Sequence, residues 1–322
     1  MPNDPGLAAD TCIFMEAISG DGGAHNSTDI WWLSPDISLS GPGALSDTAK
    51  IRLHRKAAAS GCTTPFAESV TVELWAAGPS LAMIPDNHAS SKNVQNIGTP
   101  FPAEGATATA TMTLNPPLGL NPSDPHHPRD VCLVARSYPD GLTPSTQNFF
   151  LPDDQHVAPH NLCIVPSGGG IIVTPPVPPG TQSSQVATVN PDPVNSHQVR
   201  LLAVVDFNPS RFVQRVVSAK LQRTHGSSRL ATARPRSFAF VLPDFPNAQV
   251  TDHSHAGPLN TPFSPTQSYE AKIKLGAGQF TKFSFTATLT GAQPGDAYIF
   301  HLRQIGADNH DQGGLTLVML AP

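Results

Sequence analysis

The sequence predicts an all-β protein: two tandem immunoglobulin-like β-sandwich domains joined by a Gly/Pro-rich linker. Three observations predict it. Apolar and polar residues alternate with a period of two in several short runs, turn residues separate those runs, and one stretch near the middle of the 322 residues concentrates glycine and proline. Alternation of that period places one set of side chains on each face of a strand, whereas a helix would scatter them around its axis.

In chain order, Val70, Val72, Leu74 and Ala76 alternate with Thr71, Glu73 and Trp75. Ala106, Ala108, Ala110, Met112 and Leu114 alternate with threonines, and Phe283, Phe285, Ala287 and Leu289 alternate with Ser284, Thr286, Thr288 and Thr290. These read as half-buried strands. Leu201 to Phe207, Tyr298 to Ile305 and Leu315 to Leu320 are more continuously apolar and read as more buried strands. Asn115-Pro-Pro, Pro139-Asp-Gly, Pro152-Asp-Asp, Asn208-Pro, Gln293-Pro-Gly-Asp and Gln312-Gly-Gly supply the turns. Arg211 to Gln222 fits a helical stripe of Val213, Val216, Val217 and Leu221, but its paired β-branched residues suit strands equally, so its state stays open. Residues 166–181, Pro-Ser-Gly-Gly-Gly-Ile-Ile-Val-Thr-Pro-Pro-Val-Pro-Pro-Gly-Thr, read as the linker, with a short strand at Ile171 to Thr174. The expected division is therefore 1–165, linker 166–181, and 182–322, with about seven strands on each side.

Composition narrows the function classes. Charged residues are 13% and hydrophobic residues 39%, too apolar and too weakly charged for a disordered chain. The 34 prolines follow no period, which excludes collagen. The net charge of -5 is unevenly spread. Residues 1–49 hold Asp4, Asp10, Glu16, Asp21, Asp29, Asp36 and Asp47 with no Lys or Arg. Residues 200–236 hold Arg200, Arg211, Arg215, Lys220, Arg223, Arg229, Arg234 and Arg236 against Asp206 alone. Such asymmetry bears on association. The interaction candidates are Arg211, Arg215, Arg223, Arg234 and Arg236 on one side and Asp21, Asp29 and Asp36 on the other; they either meet between copies of the chain, which the stiff proline-rich linker favours, or meet within one folded-back chain, or stand as two unrelated solvated faces. The negative total argues against nucleic acid as a main partner. No run of eighteen apolar residues is long enough to span a membrane. Met1-Pro-Asn-Asp-Pro lacks the basic and apolar regions of a secretory signal. The expected location is an extracellular or surface assembly reached by another route, with the cytoplasm as the alternative.

Residues 30–165 resemble a bacterial CARDB-type module, an adhesion-related immunoglobulin-like β-sandwich. The likeness rests on Trp32-Leu-Ser-Pro-Asp-Ile37, the strand Val70 to Ala76, Asn96-Ile-Gly98, Val131-Cys-Leu-Val-Ala-Arg136 and Asp153-Asp-Gln-His-Val-Ala-Pro-His-Asn-Leu162. This chain has Ser38 where those modules carry Trp, and Pro159-His160 where they carry Gln-Arg. Pro294-Gly-Asp-Ala-Tyr-Ile-Phe-His-Leu-Arg-Gln304 and Gly313-Gly-Leu-Thr-Leu317 look like the closing hairpin of a second such domain. The resemblance implies a spacer, adhesion unit or assembly contact.

Candidate chemistry is sparse. His253 and His255 would share one face of a strand and could share a metal, but no third ligand is identifiable nearby, so solvated histidines are favoured. His156, His160, His126 and His127 are read the same way. Asp21, Asn26 and Asp29 surround Gly22-Gly23 in an oxygen-rich loop where calcium is conceivable, although the spacing suits a plain turn better. Ser34, Asp36 and the histidines are the right types for hydrolysis, yet no Gly-x-Ser-x-Gly elbow occurs. Neither glycine-rich nucleotide motif is present. Cys12, Cys62, Cys132 and Cys163 lack the Cys-x-x-Cys spacing of zinc knuckles. They either remain buried thiols or form two disulfides, for which Cys62 with Cys132 and Cys12 with Cys163 is the favoured pairing.

The sequence therefore predicts no cofactor, no catalytic residue and a non-catalytic structural or adhesive protein, a self-associating subunit of a larger bacterial or phage-like assembly. The alternatives are a carbohydrate- or other ligand-binding module using exposed Trp31, Trp32 or Trp75, and a metal-dependent enzyme using His253 and His255.

Overall fold

The computed structural model describes residues 4–24, 30–40, 48–57, 60, 62, 69–85, 91–98, 104–113, 132–165, 180–225, 229–231, 234–255, 267–289 and 293–321. Among them the chain is nearly all β: β1 (Ile13–Phe14), β2 (Ile37–Ser40), β3 (Thr48–Arg55), β4 (Val70–Ala77), β5 (Ser91–Ile97), β6 (Thr107–Thr113), β7 (Cys132–Pro139), β8 (Val157–Val165), β9 (Thr181–Val189), β10 (His197–Asp206), α1 (Arg211–His225), β11 (Arg229–Leu230), β12 (Ser237–Val241), β13 (Gln249–Asp252), β14 (Ser268–Leu275), β15 (Phe280–Thr288), β16 (Asp296–Ile305) and β17 (Asp311–Leu320). No helix among the described residues is long and apolar enough to cross a membrane.

In the N-terminal half, β3 pairs with β1, β2 and β6. This small sheet faces β4, β7 and β8 across an aliphatic core of Ile13, Ile37, Ile51, Leu53, Val72, Leu74, Met112 and Leu133. The alternation read from the sequence places Ala110 and Met112 of β6 inward and the threonines outward. In β4 it holds for one face only. Glu73 and Trp75, expected on a polar face, are buried as well, because that face is covered in turn. Arg136 lies against the Trp75 ring from the neighbouring strand, and the Phe149 ring meets it edge-on.

In the C-terminal half, β12-β15-β9 faces β14-β10-β16-β17. The core between them is aromatic, built from Phe238, Phe240, Phe283, Phe285 and Phe300. The alternation Phe283, Phe285, Ala287 delivers these side chains to one face of β15, as its sequence requires. The segment left open by sequence, Arg211 to Gln222, is the helix α1, whose Val213, Val217 and Leu221 pack against Leu162, Ile164, Ile299 and Val318. Ser210 accepts the Val213 N–H at 3.3 Å, a hydroxyl cap on the first turn.

One sheet runs through both halves, in the order β13-β14-β10-β16-β17-β8-β7-β4-β5. Its seam is the parallel pairing of β17 with β8, from Thr316 opposite Leu162 to Met319 opposite Val165. Gly313 and Gly314, read from sequence as a turn, lie inside β17. They are there for close approach. A β-carbon at Gly313 would sit 1.6 Å from the Leu81 carbonyl oxygen, and one at Gly314 would sit 2.2 Å from the Trp32 ring. Of the stretch 166–181, only Gly180 and Thr181 are described, and the strand expected at Ile171 to Thr174 lies outside the described residues.

The cysteine pairing differs from the expected one. Cys12 is bonded to Cys62, while Cys132 and Cys163 are buried thiols. The register explains it. Ile13 lies opposite Arg55, so Cys12 meets the chain as it leaves β3 toward Cys62. Cys132 instead begins β7 in the interior and approaches the backbone of Ser80.

Candidate functional site

Of the acidic N-terminal segment, Asp4, Asp10 and Asp36 are buried. Asp10 and Asp154 bracket the buried imidazole of His156, at 3.2 Å from Nε2 and 2.8 Å from Nδ1. Burial would lower the His156 pKa, but the two carboxylates outweigh it and push it up to about 9. Arg136 donates to Glu73 at 2.9 and 2.7 Å and to the Ser145 carbonyl at 2.6 Å, and lies 3.8 Å from Asp4. Lys92 reaches the other Glu73 oxygen at 2.8 Å. The reading of His156 as a solvated loop histidine is thus overturned, because sequence could not show the two acids that fold around it from 146 and two residues away.

A second cluster gathers beside the small sheet, where Glu16 follows β1, Asp36 precedes β2 and His54 lies in β3. Donor atoms of Glu16, Asp36 and His54 lie within 4.8 Å of one another. Asp36 is 2% exposed, and both of its oxygens are engaged. Oδ1 accepts from Arg52 Nε at 2.7 Å and NH2 at 2.6 Å, while Oδ2 accepts the Glu16 N–H at 2.6 Å and lies 2.8 Å from His54 Nε2. The His54 ring stacks on Phe14 at 4.8 Å. Asp36 therefore cannot serve as an exposed docking residue, since the chain that would meet a partner is folded over it. Asp21 closes a turn, accepting the N–H groups of Ala17, Ile18 and Gly23. Asn26 and Asp29, expected beside it, lie outside the described residues, as do His126 and His127.

His253 and His255 are exposed at the end of β13, and His255 lies 3.3 Å from the Asp252 carboxylate. Hydrogen bonds from Ser254 and the neighbouring His255 hold Asp252 below the usual carboxylate range despite partial burial. Arg211 and Arg215 are exposed on α1, Arg215 over the Phe212 ring. Arg236 is exposed, and Arg234 lies 5.0 Å over the Phe207 ring. The Arg223 side chain lies outside the described residues.

The three tryptophans expected as an exposed sugar platform are buried. Trp31 and Trp32 sit at the seam, where Trp31 Nε1 donates to Asp311 at 3.0 Å and Trp32 Nε1 donates to the Thr316 hydroxyl at 3.0 Å. Thr316 continues to His301 at 3.1 Å, and His301 to Asp206 at 3.0 Å. This hydroxyl–imidazole–carboxylate order has the residue types of a nucleophilic triad. Thr316 is fully buried and its oxygen is occupied by Trp32, so the row works as a strut between Trp32 and β10.

Beside the seam lies a cleft of about 450 Å3, within the usual range of ligand sites. Met83, Phe149 and Leu151 give it an apolar side, and Asp192, His197, Asp308, His310 and Gln312 give it a polar rim. Asp192 accepts from His197 at 2.7 Å and from the N–H groups of Val194 and Asn195, which hold it well below the usual carboxylate range. Phe150, which lines the cleft, adopts left-handed backbone at φ 53, and Asn309, between the lining residues Asp308 and His310, does so at φ 66. For a phenylalanine this conformation is strained, and strain of this kind gathers at binding sites. The cleft draws on loops on either side of residues 166–181, which is why no local motif announced it.

No family model matches the chain, and no curated protein matches it. Among solved structures, the collagen adhesin CNA from S. aureus is 9% identical, covering 88% of this chain and 91% of that one, with a TM-score of 0.22. Red sea bream transglutaminase is 10% identical over 89% of this chain and 31% of that one, with a TM-score of 0.20. The CupB6 tip adhesin from Pseudomonas aeruginosa is 8% identical over 89% and 96%, with a TM-score of 0.19. Superpositions this loose carry no argument about what the chain does.

Proposed function

We propose that this chain is a non-catalytic structural or adhesive protein that associates with further copies or other subunits in a bacterial or phage-like assembly, at a surface or outside the cell. Its two immunoglobulin-like halves, 1–165 and 182–322, meet at residues 166–181, and the first is of CARDB type. The observation that carries this reading is the long sheet and its end. The sheet binds the halves into a stiff body, and the edge strand β13 pairs on one side with β14 while all four of its residues are exposed. Among the described residues no strand covers its other side. An exposed edge is a template for a strand from another chain. The disulfide adds support for an oxidising compartment.

Sedimentation velocity over a concentration series tests this. The wild type is expected to form multi-copy particles, and Val250→Lys, which places a charge on the edge, is expected to shift them toward monomer. A wild type that stays monomeric at every concentration overturns self-association. The cleft beside the seam favours a second reading, a module that binds a small polar ligand or a peptide side chain.

A further inference from the structure

We propose that Glu16, Asp36 and His54 bind a divalent transition-metal ion, with zinc the best match. This goes beyond the structural role, which requires no metal. The three donor atoms already converge within 4.8 Å. Zinc takes nitrogen and carboxylate oxygen at about 2.0–2.2 Å, which places tetrahedral ligands about 3.3 Å apart. Asp36 Oδ2 and His54 Nε2, now 2.8 Å apart, need to open by about half an ångström, and the Glu16 carboxylate closes the third corner by rotating its side chain.

The surroundings resemble those of a metal site in three respects. First, the central ligand is preset. Arg52 grips Asp36 Oδ1 and the Glu16 N–H fixes Oδ2, which leaves that second oxygen aimed at His54. Outer partners of this kind orient metal-binding carboxylates. Second, the Phe14 ring holds the imidazole plane at an interplanar angle of 18°. Third, the two carboxylates face the single guanidinium of Arg52, and Glu16 makes no ion pair among the described residues, so the site favours a cation. One nitrogen and two oxygens suit zinc, cobalt or nickel, whereas calcium seeks six to eight oxygens. Glu16 and His54 are only partly buried, so an ion can enter from solvent and keep water in a fourth position. Three protein ligands and an open position define a zinc site of the exchangeable kind.

The test is calorimetric titration of the full, oxidised, chelator-treated chain with zinc sulfate alone. One ion per chain is expected. Glu16→Gln and His54→Gln should each weaken binding by about 10- to 100-fold. Circular dichroism confirms that each variant folds; a variant that does not fold is replaced by Glu16→Ala or His54→Ala. Cobalt loading should give the visible absorption of a low-symmetry site, lost in His54→Gln. A doubled His253→Ala/His255→Ala variant should bind as the wild type does. The proposal is overturned if the folded wild type takes up no stoichiometric zinc, if Glu16→Gln and His54→Gln bind as tightly as wild type, or if the His253/His255 variant is the one that loses the ion.

Discussion

The two halves of this protein hold themselves together by different physics. The N-terminal core is aliphatic, with buried charge around it: Glu73 with Arg136, Asp10 and Asp154 with His156, and the Asp36 carboxylate, which the exposed Arg52 caps. A disulfide adds a covalent tie. The C-terminal core is a cluster of phenylalanines meeting largely edge to face, such as Phe285 and Phe300 at 5.2 Å and Phe240 and Phe283 at 5.4 Å. Aromatic burial is indifferent to pH and redox state, whereas a buried ion pair is only as good as the protonation of both partners. The N-terminal half thus holds the disulfide and the His156 cluster, which answer to redox state and pH, and the seam makes the C-terminal half feel what happens to it.

Reducing the disulfide should have the largest effect of those that distinguish the halves. The bond spans 50 residues, and a loop of that length is worth about 4 kcal/mol of unfolded-state entropy. Thermal melts with and without reductant should show the loss, and an unchanged melting temperature would remove the covalent tie from the comparison.

Alkaline pH comes next. His156 rises from 6.5 in an unfolded chain to about 9 when folded, so its contribution is complete below about pH 6.5 and disappears as pH climbs through about 9. The loss is on the order of 3 kcal/mol. Melting temperatures measured from pH 6 to 10 should fall across that window, and His156→Gln, destabilised at neutral pH, should lose that dependence. The smallest effect is mechanical. Gly314→Ala drives a methyl group into the Trp32 ring and should cost about 1–3 kcal/mol by overpacking, visible in chemical denaturation. A neutral result would mean that β17 and Trp32 are less tightly opposed than the geometry shows.

How much of this was legible in the sequence follows the same division. The alternation from Phe283 to Leu289 delivered β15 and its aromatic face directly, because a half-buried strand is a local pattern. Cys132 in a buried strand was legible for the same reason, since Val-Cys-Leu-Val leaves no polar face. The features of the N-terminal half are nonlocal. Glu16, Asp36 and His54 stand 20 and 18 residues apart, just after β1, just before β2 and within β3, and the pairing of β1 and β2 with β3 brings them together. Trp31 and Trp32 looked like surface aromatics because their cover, β17, comes some 280 residues later. One signal was available and unused: Ser210 just before the apolar stripe of Val213, Val217 and Leu221 marks a helix start.

The most direct test of the seam is differential scanning calorimetry of the oxidised chain at neutral pH. A sheet continuous through β8 and β17, with Trp31 and Trp32 bonded into β17, predicts one transition whose calorimetric and van't Hoff enthalpies agree. That single transition should shift as a whole with reductant and with pH. Two resolved transitions, of which only one moves with reductant and pH, would contradict it.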